Sequence, residues 1–388
     1  MSSRAERTAM SEWLWTIDRW LLGGVGLLMI FGIVLLLAGS PAVAESHRLN
    51  TFYFVNRQAQ FLALSIGVLL FASTLTPRMV RRVSLVLFIV AFAGVCATFF
   101  VGGDIKGAKR WISLAGITVQ PSEFLKPAFV VMAAWAFSEG ARRKDMPGTI
   151  IAILLVGSLF PLVLQPDVGQ TMLLMAVWCV LFFLAGLHYF WVAGLAGIGA
   201  LGALLAYKIF PHVTARVNRF FEKGSGDTFQ MDTALESFVA GGWYGKGPGE
   251  GTIKRILPDA HTDVIFAVTG EEFGIIACLI LVSLFAFIVL RGLYLAQRNE
   301  DPFCRLAASG LVTIFGLQAT INMAVNLSLM PPKGMTLPFV SYGGSSLISL
   351  GLSIGFLVAV TRKRPRAEIL DRIIDDAPHT RLFAGSRA

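Results

Sequence analysis

Residues 21–38 read LLGGVGLLMIFGIVLLLA and contain no charged side chain. A helix needs about 20 mainly apolar residues, usually about 17–25, to cross a lipid bilayer, so this stretch has the length and composition of a membrane span. The whole chain has 388 residues, of which 55% are hydrophobic and only 15% are charged. Soluble domains carry about 25% charged residues, and this composition therefore excludes an ordinary soluble protein.

Nine further apolar blocks follow the first, and the sequence predicts an all-α, polytopic membrane protein with ten transmembrane helices. The predicted spans are residues 21–38, 61–75, 83–101, 124–138, 148–164, 168–187, 189–207, 264–290, 306–328 and 338–361. One long extracytoplasmic loop, 208–263, separates helices seven and eight. The predicted organisation is an N-terminal segment (1–20), a ten-helix membrane domain (21–361) and a basic tail (362–388).

The positions of the basic residues predict the orientation of these spans. With the N-terminus in the cytoplasm, 19 of the 33 Lys and Arg residues lie inside and 13 lie outside, seven of them in the long loop. Cytoplasmic loops of membrane proteins are enriched in Lys and Arg, so both termini are expected in the cytoplasm. The formal net charge of +9 is spread between the apolar blocks, which favours the membrane surface over a nucleic acid as the partner.

Cations on the predicted outer side run against that tendency and need another explanation. They include Lys109, Arg110, Arg216, Lys246 and Lys333. One interpretation is an anionic ligand at the outer face. The other is that these cations bind lipid phosphates or pair with carboxylates such as Asp104, Glu222 and Glu250. The set as a whole favours a ligand.

Two opposite charges lie at the start of the fourth predicted span, in QPSEFLK at residues 120–126. A spacing of three puts Glu123 and Lys126 on the same helical face. Because a charge inside a bilayer is costly, the pair should point away from lipid. We expect a structural ion pair, which can still line a polar cavity, and the alternative is direct catalysis.

The long loop contains a pattern typical of a short helix. Apolar residues recur at helical spacing over 231–239, and Gly241-Gly242 supplies a stop signal. Thr233 and Glu236 form a candidate capping box at its start. The sequence therefore predicts an amphipathic helix that lies on the membrane surface.

A glycine-rich segment, GKGPGEG at residues 245–251, follows this helix. It is a poor nucleotide-binding loop because no strand precedes it, but its glycines would let backbone N–H groups approach an anion. Further along, Glu271 and Glu272 lie inside the eighth predicted span. We expect both to be structural, with Gln318, Asn322 or Asn326 on the next span as partners.

Asp263 ends the long loop, directly before the apolar run that begins at Val264. Partial desolvation at the mouth of a span would raise its pKa and make it a better proton acceptor. Helix capping is the competing interpretation, since a carboxylate interacts favourably with the N-terminal end of a helix. The surrounding outer cations favour catalysis. His261, two residues earlier, is a candidate for orienting Asp263 or for binding sugar.

Six short motifs occur in order along the chain. They are KRWI (109–112), QPSE (120–123), QPDVG (165–169), PDAHTD (258–263), GEE (270–272) and LPFVSYGGSS (337–346). Together they resemble the motifs of the SEDS family (shape, elongation, division and sporulation), over about residues 21–364. Asp259, where the family usually has Glu, and Pro331 are two small departures that concern only local loop shape.

The resemblance implies a peptidoglycan glycosyltransferase that polymerises lipid II. The 4-hydroxyl of an acceptor GlcNAc attacks the anomeric carbon of a donor MurNAc, with inversion and loss of polyprenyl pyrophosphate. Asp263 is then the expected general base. The five outer cations listed above and His261 are the expected substrate-binding residues. No cofactor is assigned, and a divalent ion, Mg²⁺ or Mn²⁺, bridging Asp263 and the pyrophosphate is left open.

The segment PKGMTLP (332–338) is closer to the division branch of the family than to the elongation branch. The implied partners are lipid II, a class B penicillin-binding protein transpeptidase, other division proteins and membrane lipid, with a location at the septum. An elongation or sporulation paralogue, a lipid II flippase and a noncatalytic scaffold are the alternatives. The four cysteines have no short spacing, so they predict neither a disulfide framework nor a metal cluster.

Overall fold

The protein is described by a computed structural model that covers residues 9–46, 48–105, 108–114, 117–142, 148–165, 167–186, 189–209, 214, 218, 229–257, 260–331 and 334–363. Two predicted site residues, Arg216 and Lys333, lie outside the described residues. So do Asp259, Glu222 and most of the basic tail, and Asp104 is described for its backbone alone.

Helices dominate the described chain, and each predicted span overlaps at least one of them. Their bounds are α1 Ala9–Thr16, α2 Arg19–Ser46, α3 Tyr53–Ser73, α4 Pro77–Val101, α5 Pro121–Arg142, α6 Gly148–Gly157, α7 Phe160–Leu164, α8 Val168–Leu184, α9 Tyr189–Ile209, α10 Phe229–Gly241, α11 Ile265–Gln297, α12 Pro302–Asn326 and α13 Gly344–Thr361. A short 3₁₀ helix covers Ile253–Arg255. Six of these, α2, α3, α4, α11, α12 and α13, are long and apolar enough to cross a membrane.

A small sheet corrects the prediction of an all-α fold. Strands β1 (Gly103–Ile105), β2 (Ala108–Leu114) and β3 (Ile117–Val119) form an antiparallel sheet in the order β1-β2-β3 between α4 and α5. The strands have only three to seven residues, so hydrophobic blocks of helical length do not reveal them. The sheet carries Lys109 and Arg110 on β2.

Small residues on α13 let it pack closely on α3. A Cβ atom added to Gly351 would collide with Ser65 Oγ, and one added to Gly355 would lie 2.8 Å from the Leu69 carbonyl oxygen. The Ser65 hydroxyl also donates to the Leu347 carbonyl at 2.6 Å. Close approach through small residues and interhelical hydrogen bonds is how helices associate in lipid.

The start of the first long helix and the end of the last lie on one face of the bundle. The Arg362 guanidinium donates to Thr16 Oγ1 at 2.6 Å, and the Lys363 N–H donates to the Thr16 carbonyl at 3.0 Å. Asp18 accepts from the Leu21 N–H at 2.8 Å and pairs with Arg291 at the same face. The first span therefore begins on the side of the bundle where the last span ends.

Helix α11 is broken at Gly274, where φ is 78°, so the predicted continuous span 264–290 is wrong at this point. The backbone groups that lose their helical hydrogen bonds at this break form hydrogen bonds with the segment that follows α10. The Lys246 and Gly247 N–H groups donate to the Glu271 and Glu272 carbonyls at 2.9 and 3.0 Å. Broken helices are tolerated at membrane depth only when their free backbone groups are satisfied in this way.

Helix α10 corrects the predicted capping box. It begins at Phe229, so Thr233 and Glu236 lie inside it, and it ends at Gly241. Its small residues Thr233, Ala234 and Ser237 are buried, and Phe238 packs against Phe266 of α11. In contrast, Leu235 and Val239 are exposed. The helix therefore lies against α11 with its small side chains and Phe238, while Leu235 and Val239 face outward. The last predicted span is also shorter than expected, because residues before Gly344 form a loop.

Candidate functional site

Asp263 lies one residue before the N-cap of α11, which is Val264. Its side chain helps to line a cavity of about 40 Å³ between α10, α11, α12 and the loop before α13. The other lining residues include Gln230, Asn322 and Met335. Val264 occupies the capping position without a side-chain cap, so Asp263 lies one residue outside it, and its catalytic role stays a prediction.

Two amides of α12 hold the backbone of Asp263. The Asn322 Nδ2 donates to the Asp263 carbonyl at 2.8 Å and to the Met335 carbonyl at 2.6 Å. The Asn326 Nδ2 donates to the same Asp263 carbonyl at 3.0 Å. Asn326 in turn accepts from the Ala267 N–H in the first turn of α11, at 3.2 Å. Both asparagines are buried, so their amides depend on protein acceptors such as these carbonyls.

The two residues before Asp263 are held in the same way by the loop before α13. The Ser341 hydroxyl donates to the Thr262 carbonyl at 2.6 Å, and the Tyr342 N–H donates to the His261 carbonyl at 2.9 Å. Three consecutive carbonyls, from His261 to Asp263, thus accept hydrogen bonds. The backbone of this segment is thus held by both α12 and the loop before α13, at a residue that lines the cavity.

His261 is placed as a packing residue. Only 8% of it is exposed, and its ring centroid lies 4.4 Å from that of Phe54 and 5.4 Å from that of Tyr342. This sandwich of aromatic rings contributes apolar contact area as well as ring–ring attraction. The position favours a role in fixing the loop over direct contact with sugar, and its predicted role in substrate binding stays a prediction.

Glu123 and Lys126 form a buried ion pair, with Lys126 Nζ 2.8 Å from Glu123 Oε2. Two glutamines extend it, because the Gln170 amide donates to Glu123 Oε1 and Lys126 donates to Gln318 Oε1, both at 2.9 Å. Gln318 then donates to the Thr336 carbonyl at 3.0 Å. The network therefore reaches the segment that Asn322 also holds, next to Met335.

Glu271 and Glu272 have partners other than those expected from the sequence, so that expectation is wrong. The Glu271 carboxylate accepts from the N–H groups of Thr252, Ile253 and Lys254 at 2.7, 2.8 and 3.0 Å. Glu272 pairs with the ammonium of Lys254. Backbone N–H groups after the glycine-rich segment do surround an anion, and that anion is the protein's own Glu271.

The predicted outer cations are in different surroundings. Lys109 is exposed on β2. Arg110 donates to the Gln165 carbonyl at 3.2 Å and lies 3.8 Å from buried Asp167. Lys246 is half-exposed and lies 3.6 Å from Glu271. The structure therefore gives Arg110 and Lys246 carboxylate partners and leaves Lys109 accessible.

Gly334 brings the last outer loop next to the proposed base. A Cβ atom added to Gly334 would lie 3.7 Å from Asp263 Oδ2, and the φ of Gly334 is 60°. Lys333 directly precedes Gly334 in the sequence. The fold thus places Gly334, the residue after the predicted cation Lys333, beside Asp263, although Gly334 and Asp263 are distant in sequence.

Sequence reasoning singled out the amides of α12 but missed their role beside Asp263. Gln318, Asn322 and Asn326 recur every four residues on an otherwise apolar helix, and all three are buried. A polar stripe of this spacing on a membrane helix indicates a buried polar surface. The spacing was visible in the sequence, but its partners, the carbonyls of Thr336, Met335 and Asp263, were not.

Among the described residues, no group of three or more His, Cys, Asp or Glu side chains comes together to hold a metal ion. At the site itself, the Asp263 carbonyl is occupied by two amides. A divalent ion there would take one carboxylate from the protein and its remaining oxygen ligands from substrate phosphates and water, which suits Mg²⁺.

The family model for the FtsW/RodA/SpoVE cell cycle proteins matches residues 19–366. This chain belongs to the FtsW/RodA/SpoVE family. It is 46% identical over 367 residues to a protein of Caulobacter vibrioides named probable peptidoglycan glycosyltransferase FtsW, with 94% of each chain covered. A Legionella pneumophila protein of the same name is 34% identical over 364 residues, with 88% of this chain and 90% of that protein covered.

Solved structures of the FtsW/RodA/SpoVE family have the same fold. The crystal structure of the Thermus thermophilus rod shape determining protein RodA has a TM-score of 0.67 and 26% identity, and covers 90% of this chain and 98% of its own. A second similar chain comes from a structure that describes how a peptidoglycan synthase complex coordinates polymerization and crosslinking. It has a TM-score of 0.73 and 27% identity, and the match covers 89% of this chain and 97% of that chain.

Proposed function

We propose that this chain is a peptidoglycan glycosyltransferase that polymerises lipid II at the outer face of the inner membrane during cell division. Its membership of the FtsW/RodA/SpoVE family supports the activity, and its 46% identity to a probable FtsW across 94% of both chains supports the division role over elongation or sporulation. Six helices long and apolar enough to span support a multi-pass membrane location.

One observation supports the mechanism most directly: Asp263 lines a cavity, and hydrogen bonds to three consecutive backbone carbonyls fix its segment there. The nucleophile of the reaction is a sugar hydroxyl, which is weak until its proton is removed. A positioned carboxylate that accepts this proton in the transition state accelerates such a step by about 10²–10⁴. Asp263 is the general base in this proposal.

Cations serve the other end of the reaction. The bond between the donor anomeric carbon and the pyrophosphate breaks, and negative charge accumulates on the leaving group. Lys or Arg groups placed to meet that charge lower the barrier. We assign this shared role to Lys109, Arg110, Arg216, Lys246 and Lys333. Arg110 and Lys246 would exchange part of their present contacts with Asp167 and Glu271 for the phosphates.

The proposed topology follows from the charge distribution and the contact of the two ends. Ten spans place residues 208–263 outside and both termini in the cytoplasm, and the contact between Thr16 and Arg362 agrees with termini on one side. A class B penicillin-binding protein transpeptidase is the proposed partner at the septum. The similar chain in a peptidoglycan synthase complex supports this pairing of polymerisation with crosslinking.

The deciding experiment compares Asp263→Asn with Glu250→Gln in the purified full chain, with and without the transpeptidase. Glu250 is an exposed carboxylate of the same loop that does not line the cavity. With labelled lipid II, the wild type and Glu250→Gln should form glycan chains, and Asp263→Asn should form none while unfolding at the wild-type temperature. Chain formation by Asp263→Asn would contradict the base assignment. Lipid II translocation in vesicles without any polymer would instead support a flippase.

A further inference from the structure

A second cavity, of about 330 Å³, lies along one face of α2 and shares no lining residue with the Asp263 cavity. From α2 it is lined by Val34, Leu37, Pro41 and Glu45, among others. These positions recur every three or four residues, so they form one stripe along the helix. The opposite wall includes Arg255 and Phe273. We call this cavity the α2 groove.

Polarity changes in a fixed order along the α2 groove. From Val34 to Glu45 the helix rises by about 16 Å, with apolar side chains at one end and the Glu45 carboxylate at the other. Lys254 marks the level between them, because its ammonium donates to the Ala38 carbonyl at 2.9 Å, and Arg255 is the next residue. The cationic segment Lys254-Arg255 thus meets the groove between its apolar end and its carboxylate.

The two charged groups at the polar end of the α2 groove are available to a ligand. Glu45 and Arg255 are both exposed, and neither forms an ion pair with another residue in the described part of the chain. Lys254, by contrast, is buried and satisfied by Glu272 and by the Ala38 and Gly249 carbonyls. The groove thus offers one free positive and one free negative charge.

We infer that the α2 groove binds a zwitterionic glycerophospholipid of the phosphatidylethanolamine type. The lipid phosphate contacts Arg255, its ammonium contacts Glu45, and one acyl chain lies along Val34, Leu37 and Phe273. The order of ammonium, phosphate and chain in such a lipid matches the order of carboxylate, cation and apolar wall. A purely anionic headgroup would satisfy Arg255 but would place its second polar group beside the Glu45 carboxylate.

The size and opening of the α2 groove agree with this ligand. Its volume lies near the lower end of the usual range of about 300–1,000 Å³ for small-molecule pockets, which suits one acyl chain and not a whole lipid. Val34 and Leu37 are 44% and 43% exposed, so the groove is open sideways to the lipid phase. A membrane lipid can enter it without passing through the protein.

The test uses the purified full chain in nonionic detergent with two photoreactive probes, a phosphatidylethanolamine and a phosphatidylglycerol that carry the same diazirine acyl chain. Mass spectrometry of the labelled peptides identifies the site. We expect the phosphatidylethanolamine probe to label the Val34–Pro41 region or Phe273, and to do so about two- to fivefold more than the phosphatidylglycerol probe, the range expected for one exposed ion pair.

Two sets of variants make the result specific. Leu37→Trp fills the groove and should reduce labelling there by about tenfold, equivalent to about 1.4 kcal/mol. Leu27→Trp is its matched control, because Leu27 lies on the same stripe with similar exposure, 48%, but does not line the groove. Glu45→Gln and Arg255→Gln leave the apolar wall unchanged and should abolish the preference between the two probes.

Three outcomes would overturn the inference. They are equal labelling of the groove by both probes, wild-type labelling of Leu37→Trp in protein that unfolds at the wild-type temperature, and displacement of the probe by undecaprenyl phosphate but not by phosphatidylethanolamine. The last would make the groove a polyprenyl site. Should Leu37→Trp fail to fold, the probe preference of the Glu45 and Arg255 variants decides the question alone.

Discussion

Asn322 holds Asp263 through its backbone and not through its carboxylate. The same Nδ2 atom lies 2.8 Å from the Asp263 carbonyl oxygen and 2.6 Å from the Met335 carbonyl oxygen. One buried amide therefore ties the residue before α11 to the loop before α13. This contact fixes the position of the proposed base relative to the loop that carries Lys333.

Replacing Asn322 by Leu should lower the rate of polymerisation while leaving lipid II binding nearly unchanged. The change removes both hydrogen bonds at similar side-chain volume, and a misplacement of about 1 Å in a catalytic group can reduce a rate about 10²-fold. Initial rates over a range of lipid II concentrations would separate kcat from KM. Thr320→Val, an exposed position on the same helix, is the control. A wild-type kcat in folded Asn322→Leu would contradict the positioning role.

Gly334→Ala should destabilise the loop beside Asp263. An L residue at a φ of 60° costs about 1–2 kcal/mol, and the new methyl group would contact Asp263 Oδ2. We expect a lower unfolding temperature and slower polymerisation. Gly343→Ala is a matched control in the same loop, since the φ of Gly343 is −179° and any residue adopts it. Equal behaviour of the two variants would show that neither strain nor the methyl contact matters.

Glu271→Ala should be among the most destabilising single changes in the chain. It removes the acceptor of three backbone N–H groups, and each buried donor left without a partner costs about 1–3 kcal/mol. Glu271→Gln keeps one carbonyl oxygen and should be milder, and Glu250→Gln should have little effect. Unfolding temperature and protease cleavage within residues 245–257 are the measurements. Resistance of the alanine variant equal to wild type would rule out this carboxylate as the anchor of the segment.

The Glu123–Lys126 pair should show strong coupling. Lys126→Met leaves Glu123 buried without its cation, a change that costs about 3–5 kcal/mol, whereas replacing both partners of a buried pair by apolar residues often costs little. We therefore expect Lys126→Met to lower the unfolding temperature more than the double change Glu123→Leu with Lys126→Met. Additive effects of the two single changes would mean that the pair does not act as a unit.

Removal of Arg110 should make stability depend more strongly on pH. Burial raises the pKa of Asp167, and Arg110 opposes this shift. Because the folded-state pKa of Asp167 lies above its unfolded value, the contribution of Asp167 to stability is greatest at low pH and is lost as pH rises through the folded-state pKa. Without Arg110 that fall should extend to higher pH and become larger. Unfolding temperatures of Arg110→Met between about pH 4 and 8 test this, and adding Asp167→Asn should remove the extra dependence.

The long apolar elements could be predicted from the sequence because lipid imposes one simple requirement, an apolar run of sufficient length. The sheet that carries Lys109 and Arg110 was missed since its strands are too short to produce a hydrophobic block. The break at Gly274 depends on a distant segment that pairs the freed backbone groups. A single glycine in an apolar run does not reveal such a partner.

Asp263 was predicted from its place at the end of a loop and the start of an apolar run, which are local features. The partners of Glu271 and Glu272 were predicted wrongly, because the prediction looked for polar groups on the next helix, whereas the true partners lie in the preceding loop, at residues 252–254. Those amides instead bind the carbonyls of Asp263, Met335 and Thr336. Which of several polar groups meet across a bundle depends on helix rotation, and no local pattern determines it.

The break in α11 has a consequence for how this chain is made. The segment around residues 242–247 leaves the ribosome before Gly274 does, and in the proposed topology it is already on the outer side when the second half of the helix enters the bilayer. Until this segment contacts the broken helix, several peptide groups at the break have no hydrogen-bond partner in the protein. Folding of this region therefore requires that the segment docks onto the broken helix. If the segment arrives late, the broken helix would be exposed to quality-control proteases.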